Sequence, residues 1–413
     1  MCIFFCTFAP KFIVHVCAPC EYVRAITEKT TIIMKESILI RNFGPISEVM
    51  IEDIKPLTIF IGESGSGKST VLKLIAMFRW IYKRMCTRTF LRKSGKNQTF
   101  RFRLDTYLKN QEQTNFLRND SFIEYRNGDI CLVIENKKLR GTRTAVPMEQ
   151  LCLEKIAFVA DKRIVMSDLQ AGNLAYRDNS FYLNETYGDY LQSTNSIKSL
   201  EMPYLNVRLD IRQSKNGILH RIVSMNNNEQ KFDINLREAS SGIQTTAPMA
   251  VITEYFATKY DLVEASNKSM LTYLSQSDNL SGFKFIANIG AYKYRRVTLC
   301  LEEPELGLFP NAQVGLISFI VDRCFNIQHD YDMHALITTH SPYIFNYLNV
   351  LMAENREGRT RIDGNDVAAY IIMDGKANSL MCKDERGNIL IDTNDLTDEM
   401  VNIAREYNEV KGV

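Results

Sequence analysis

The sequence contains no apolar run approaching the roughly 20 residues that a membrane-spanning helix needs, so no such helix and no membrane partner is expected. It has no excess of charge of either sign. Fifty Lys and Arg against 48 Asp and Glu leave +2 over 413 residues, which carries no global signal for nucleic acid or a membrane surface. Repeats of solenoid period and low-complexity tracts are absent, which excludes repeat arrays and compositionally disordered chains. A second Cys pair is missing too. Cys17-Ala18-Pro19-Cys20 has no partner pair and does not define a zinc site. Cys86, Cys131, Cys152, Cys300, Cys324 and Cys382 are scattered, a pattern expected of reduced, buried thiols in a cytoplasmic protein.

What is present is ordinary globular material: 45% hydrophobic and 24% charged residues, enough for a substantial core in one large domain or two to three smaller ones. Residues 1–33 are rich in cysteine and aromatic residues but lack the charge pattern of a signal peptide. They are expected to be a leader or start-site artefact ahead of a domain that begins at Met34.

The most informative stretch is Gly62-Glu63-Ser64-Gly65-Ser66-Gly67-Lys68-Ser69-Thr70, which fits G-x-x-x-x-G-K-[ST]. Leu57 to Ile61 reads as a buried strand before it, and Thr70 to Arg84 as a helix after it. Glycines let the backbone turn so that successive N–H groups point inward. Those amides and the positive end of the helix suit phosphate. In such a loop the lysine, Lys68, reaches the β- and γ-phosphates and the Ser69 hydroxyl ligates Mg²⁺.

Further along, Arg296 to Leu301 is an apolar strand that ends in Glu302-Glu303-Pro304-Glu305. A strand end is where an α/β sheet presents groups to a bound nucleotide. Glu302 fits a Mg²⁺ ligand, and Glu303 fits the acceptor of a proton from an attacking water. His334 to Thr339 is another strand, ending at His340-Ser341-Pro342, with His340 suited to sense the γ-phosphate and position that water. Ala239-Ser240-Ser241-Gly242-Ile243-Gln244 supplies small residues and hydroxyls where a backbone can approach phosphate closely.

Arg79 to Arg103 contains nine Lys and Arg and no acid, with Phe90, Phe100 and Phe102 interleaved. It suits either a solvated helix end and loop or a nucleic-acid surface. Ile130–Ile134, Lys155–Ala160 and Val367–Met373 read as strands, Ile218–Met225 and Glu229–Ile234 as a hairpin turned at Asn226–Asn228, Pro248–Ala257 as helix, and Leu396–Val410 as a C-terminal helix. Met166 to Met202 has no steady apolar spacing and reads as irregular or short-helical.

In this order, Ile40-Arg41-Asn42-Phe43-Gly44-Pro45, the P-loop, Ala239–Gln244, Leu301-Glu302-Glu303-Pro304-Glu305 and Thr338-Thr339-His340-Ser341-Pro342 resemble the ATPase head of the ABC superfamily. The likeness is greatest to its RecF/SMC/OLD-like branch, the AAA family ATPases of AAA-15 or AAA-21 type. The resemblance implies an α/β P-loop NTPase with a mixed sheet, an antiparallel β part and a helical or irregular insertion, here at about 87–204 within a domain spanning 34–413. It implies ATP and Mg²⁺ as cofactors, and a homodimer, or a higher homo-oligomer, that sandwiches two ATP molecules. Ser240, Ser241 and Gly242 of one subunit would meet the γ-phosphate held by the other. Glu303 would be the general base, His340 the switch histidine, and Asn42 and Phe43 would lie near the nucleotide base.

The chain departs from relatives in carrying Gly307 and Phe309 where histidines are common. Asp161-Lys162-Arg163 resembles an Arg-containing family motif without assigned chemistry, and no Q-loop glutamine is identified. The acidic pattern of a TOPRIM nuclease is not seen after His340. The resemblance therefore points to an ATP-driven switch that acts on a separate nuclease-like effector in a prokaryotic defence module. The alternative is a RecF-like repair ATPase that binds DNA.

Overall fold

Alternating burial starts the fold. β1 (Glu36–Phe43) buries Ile38, Ile40 and Phe43 and turns at Gly44-Pro45 into β2 (Ile46–Ile51), with Phe43 opposite Ile46. β3 (Leu57–Ile61) is buried along its whole length, as a parallel strand covered on both faces must be. Its Leu57, Ile59 and Ile61 enter one apolar cluster and Phe60 the other, so two cores lie on opposite faces of one sheet. α1 (Lys68–Lys93) then runs well past the expected Arg84, because Met85, Cys86, Phe90 and Leu91 keep burying side chains.

The computed structural model describes residues 34–93, 100–170, 180–214, 217–225, 231–275, 292–394 and 405–407, and those from Lys35 onward group as one compact unit. The leader expected at 1–33, the Asn226–Asn228 turn and most of the expected C-terminal helix lie outside the described residues.

Residues 87–204, expected as an insertion, supply four strands of the main sheet. After α2 (Leu104–Asn110) come β4 (Leu117–Asn127), β5 (Ile130–Glu135), β6 (Lys138–Arg140) and β7 (Cys152–Val159). β4 pairs with β1, and β7 with β12 (Tyr294–Glu302). The stretch expected to be irregular holds α3 (Met166–Gln170), the sixteen-residue α4 (Phe181–Ser196) and β8 (Ser199–Met202). α4 does bury one face, through Tyr182, Leu183, Thr186, Asp189, Tyr190 and Ser193. The polar members have partners inside: Thr186 Oγ1 donates to the Phe158 carbonyl at 2.8 Å, and Asp189 pairs with Lys155 at 2.6 Å. Polar residues at core positions conceal the helical period from a hydrophobicity pattern.

β9 (Val207–Ser214), β10 (Gly217–Ser224) and β11 (Asp233–Asn235) join β8 in an antiparallel sheet of order β11-β10-β9-β8. α5 (Ser241–Thr258) and α6 (Leu262–Ser275) follow, then β12, α7 (Pro310–Val321), β13 (Asp332–Thr339), α8 (Pro342–Arg356), β14 (Val367–Met373) and β15 (Lys376–Ser379). β16 (Met381–Lys383) and β17 (Ile389–Ile391) form a separate pair.

The main sheet has eleven strands in the order β6-β5-β4-β1-β2-β15-β14-β3-β13-β12-β7. β14, β3, β13, β12 and β7 are mutually parallel, and the β6 to β2 half is antiparallel. The result is the mixed α/β sheet of a P-loop fold. Of the six scattered cysteines, Cys86, Cys152, Cys300 and Cys324 are buried, Cys131 and Cys382 are half-buried, and all six are free thiols. No helix among the described residues is long and apolar enough to cross a membrane.

Under α1 the sheet encloses charge. Arg79 clasps Glu36 with Nε and Nη2, each at 2.8 Å, and donates to Thr298 Oγ1 at 2.7 Å. Arg296 clasps Glu154 at 2.9 and 3.0 Å and also reaches Glu36 at 3.0 Å. Tyr125 donates its hydroxyl to Glu36 at 2.7 Å. Burial by itself pushes the Glu36 carboxyl up, but Arg79 and Arg296 beside it hold it below the ordinary range. Two guanidiniums thus meet two carboxylates in the interior, and they tie α1 to β1, β7 and β12.

Candidate functional site

β3 ends at Ile61, and the chain leaves the sheet through Gly62. A Cβ at Gly62 would lie 2.2 Å from the Ile372 carbonyl of β14, so only glycine fits between the loop and the neighbouring strand. Gly65 and Gly67 have φ of 82° and 109°, the left-handed side that glycine adopts without penalty. α1 begins at Lys68, with the Val71 amide bonded to the Gly67 carbonyl at 3.0 Å. Glu63, Ser64 and Gly65 are exposed at the mouth, while Lys68 is 5% exposed. Lys68 Nζ donates to the carbonyls of Gly62 and Glu63, both at 2.8 Å. Burial depresses its pKa, and Glu303 and Glu305 oppose that shift.

The carboxylates come from the end of β12. Glu302 lies opposite Thr338 of β13 and is 2% exposed. Burial raises its pKa, countered by Lys73, whose Nζ stands 3.5 Å from Oε1. The nearby Ser69 hydroxyl and the Asp161 amide, which donates to Oε2 at 3.4 Å, also favour its charged form. Glu303 turns out of the strand with φ of +45°, a left-handed geometry that costs an L-residue roughly 1–2 kcal/mol. Strain of this kind collects at functional sites. The turn puts Glu303 Oε1 3.3 Å from His340 Nε2.

His340 is placed by a helix cap. Ser341 Oγ accepts from the Ile344 amide at 3.3 Å as the N-cap of α8, and Pro342 takes the first helical position. Glu305 accepts from the His340 amide at 2.6 Å, while its other oxygen is buried with no partner among the described residues.

Lys68, Ser69, Thr70, Glu303 and His340 line one cleft of about 450 Å³, together with Pro45, Ser64, Gly65, Gly67 and Phe116. The P-loop, Glu303 and His340, read separately from the sequence, therefore converge, with Glu302 buried beside Ser69 rather than on the cleft wall. The other predicted residues do not line this cleft. Ser240 and Ser241 are exposed at the start of α5, and Ser240 makes no side-chain capping bond. Gly242 packs against the loop after β12, where a Cβ would come within 2.4 Å of the Gly307 carbonyl. Phe43 is fully buried, its ring edge-on to Phe116 at 5.9 Å. Asn42 carries φ of 52° and donates to the Asp120 carbonyl at 3.4 Å. Phe116, from the turn before β4, is the aromatic ring that reaches the cleft. Sequence reasoning missed it because nothing local marks it.

The basic stretch is likewise not one surface. Arg79 and Arg88 are buried, and Arg84 stacks over Trp80, Phe100 and Phe102 at 5.1, 5.6 and 5.7 Å. Phe100 and Phe102 thus serve the arginines themselves, and Phe90 packs against Tyr292 in the core.

The residues suit a nucleotide and one divalent cation. Ser66 Oγ is buried in the loop with no partner among the described residues, and the space beside the Gly65 α-carbon is open. Ser69 stands near enough to Glu302 to influence its pKa, and a hydroxyl with a carboxylate is the small donor set Mg²⁺ uses when phosphate and water complete its shell. Among the described residues no cluster of three or more His, Cys, Asp or Glu forms a protein-only metal cage.

The family model of the AAA ATPase domain matches residues 34–144. No curated protein matches the chain. Solved structures that align include an SMC head bound to the C-terminal winged-helix domain of ScpA (TM-score 0.35, 9% identity, covering 86% of this chain and 98% of that one). The SMC head domain from Thermotoga maritima aligns with TM-score 0.32 at 11% identity over 84% and 97% of the two chains. The ATP-binding cassette MJ1267 of an ABC transporter, in its ADP conformation, aligns with TM-score 0.29 at 14% identity over 84% and 89%. The stretch that builds the P-loop and its helix is thus similar to an AAA ATPase domain.

Proposed function

We propose that this ATPase is a switch in which two copies close over two ATP molecules, each copy completing the other's site. One observation carries the reading. Lys68, Glu303 and His340 share a cleft that Ser240, Ser241 and Gly242 do not line, and those hydroxyls stand exposed at the start of an eighteen-residue helix. Donors left out of their own cleft are free to meet the γ-phosphate in another. ATP then shifts the population toward the closed pair through contacts that exist only there.

Within one cleft, the loop amides and Lys68 hold the β- and γ-phosphates. Mg²⁺, when bound, would use the Ser69 hydroxyl and the Glu302 carboxylate and would neutralise charge on the phosphate oxygens. Glu303 accepts the proton of the attacking water, and His340, at its side, orients that water and senses the γ-phosphate. Phe116 and Pro45 form the wall nearest the base. The output of the switch, on this reading, is control of a separate nuclease-like effector in a defence module, which rests on the family resemblance. The DNA-binding alternative loses support because Arg79 and Arg88 are spent in the interior.

Three variants test the reading, the last two its pairing of sites. Glu303→Gln should bind ATP and hydrolyse it roughly 10²–10⁴-fold more slowly, as on loss of a positioned base. Ser241→Arg and Lys68→Ala should each be inactive alone. Mixed, they should regain at most one working site per dimer. Mixtures that stay as inactive as their components would rule out sites shared between copies.

A further inference from the structure

Arg163 is a buried cation that the reading above does not use. It follows β7 in the Asp161–Val165 turn and is 0% exposed, and every hydrogen bond given for its guanidinium goes to a main-chain carbonyl. Nη1 donates to Glu302 at 2.7 Å and to Ala160 at 3.2 Å. Nη2 donates to Glu303 at 2.6 Å, and Nε to Thr245 at 3.0 Å. Among the described residues no carboxylate pairs with it directly. Burial depresses its pKa to about 10, with Glu305, Asp161, Glu303 and Glu302 opposing at longer range.

The carbonyls it gathers belong to three elements. Glu302 ends β12 and Glu303 follows it, Ala160 follows the end of β7, and Thr245 lies in the first turns of α5. The Glu303 peptide is also where the chain turns left-handed, with its amide held by the Thr338 carbonyl at 2.9 Å. A second clasp runs parallel, since Thr245 Oγ1 donates to the Leu306 carbonyl at 2.8 Å. We propose that Arg163 is a positioning residue for hydrolysis: it fixes the left-handed turn that aims Glu303 at the cleft, and ties that turn to the helix that begins at Ser241. A strained φ persists only where the surroundings over-determine it, and a planar five-donor fork suits that task. A lysine keeps the charge but offers one point of contact instead of a fork.

This inference rests on Glu303 as the base, and the experiment separates the two. Arg163→Lys, Glu303→Gln and the double variant are assayed for ATP turnover, with ATP affinity and bound sites per chain measured alongside. We expect Arg163→Lys to lose at least about tenfold in kcat per bound site while Kd for ATP changes less than about threefold, the pattern of an interaction used only in the transition state. Adding Arg163→Lys to Glu303→Gln should cost nothing further, because the two act through one group. If Arg163 only supports folding, bound sites fall while kcat per bound site stays unchanged, and the proposal is overturned. It is also overturned if the losses multiply in the double variant. Full activity in Glu303→Gln would instead remove the assignment of the base. Should Arg163→Lys fail to fold, Thr245→Val, which cuts the parallel clasp on Leu306, must lower kcat per bound site, and unchanged turnover there counts against the idea.

Discussion

Arg79→Met is the sharpest probe of how α1 is anchored to the sheet. Both partners of the Arg79–Glu36 pair are essentially unexposed, at 0% and 2%. With Arg79 present, Glu36 and Glu154 face Arg79 and Arg296, two charges of each sign. Methionine fills much of the same volume but leaves Arg296 to serve both acids, so one negative charge stays buried without compensation. Removing one partner of a buried pair costs about 3–5 kcal/mol. At about 2.1 cal/mol/K per residue, a unit of roughly 380 residues has a melting entropy near 0.8 kcal/mol/K, so Tm should fall by about 4–6 °C.

The pH dependence gives a second handle. In the native protein the Glu36 pKa lies below its unfolded value, so its contribution is present above about pH 4.5 and is lost as pH falls through the folded value. In Arg79→Met, burial outweighs the remaining guanidinium and raises that pKa above the unfolded value. The contribution of Glu36 is then best at low pH and is lost as pH rises through the raised value. The deficit of the variant must therefore be larger at pH 8 than at pH 5, and Arg79→Met with Glu36→Gln must recover part of it by removing the stranded charge. Differential scanning calorimetry across that range reads both. A deficit that does not vary with pH, or a double variant worse than the single, would refute the charge-balance argument.

Two further outcomes follow from the cleft. Lys68→Ala should weaken ATP binding at least tenfold by equilibrium titration, since the ammonium it removes is the buried cation among the cleft-lining residues. Phe116→Ala should weaken ATP but leave inorganic triphosphate unaffected, because Phe116 is the aromatic ring among the cleft-lining residues on which a base can stack; equal losses for both ligands would contradict a role in holding the base.

The parts of this molecule that could be read from the sequence are those whose logic is local. The P-loop is contiguous because one turn must supply all its amides. Glu302 and Glu303 are adjacent because one strand end delivers both, and His340 is marked by the Ser341-Pro342 cap that follows it. Other features have no local signature. Arg79 meets Glu36 across 43 positions, and Arg296 meets Glu36 across 260. In the sequence Arg79 is simply the first residue of a basic run, and only the strand order shows it facing inward. α4 was hidden because Thr186, Asp189 and Ser193 occupy core positions as polar residues with internal partners. Residues 87–204 read as an insertion because their strands pair with β1 and β12, far away in the chain, so β4 joins the antiparallel half of the sheet and β7 the parallel half. Arg163 unites these cases. Its motif was visible without a chemistry, because its meaning lies in four carbonyls that no side-chain pattern can encode. The groups that react are therefore legible one by one, while the groups that aim them emerge only when the sheet is assembled.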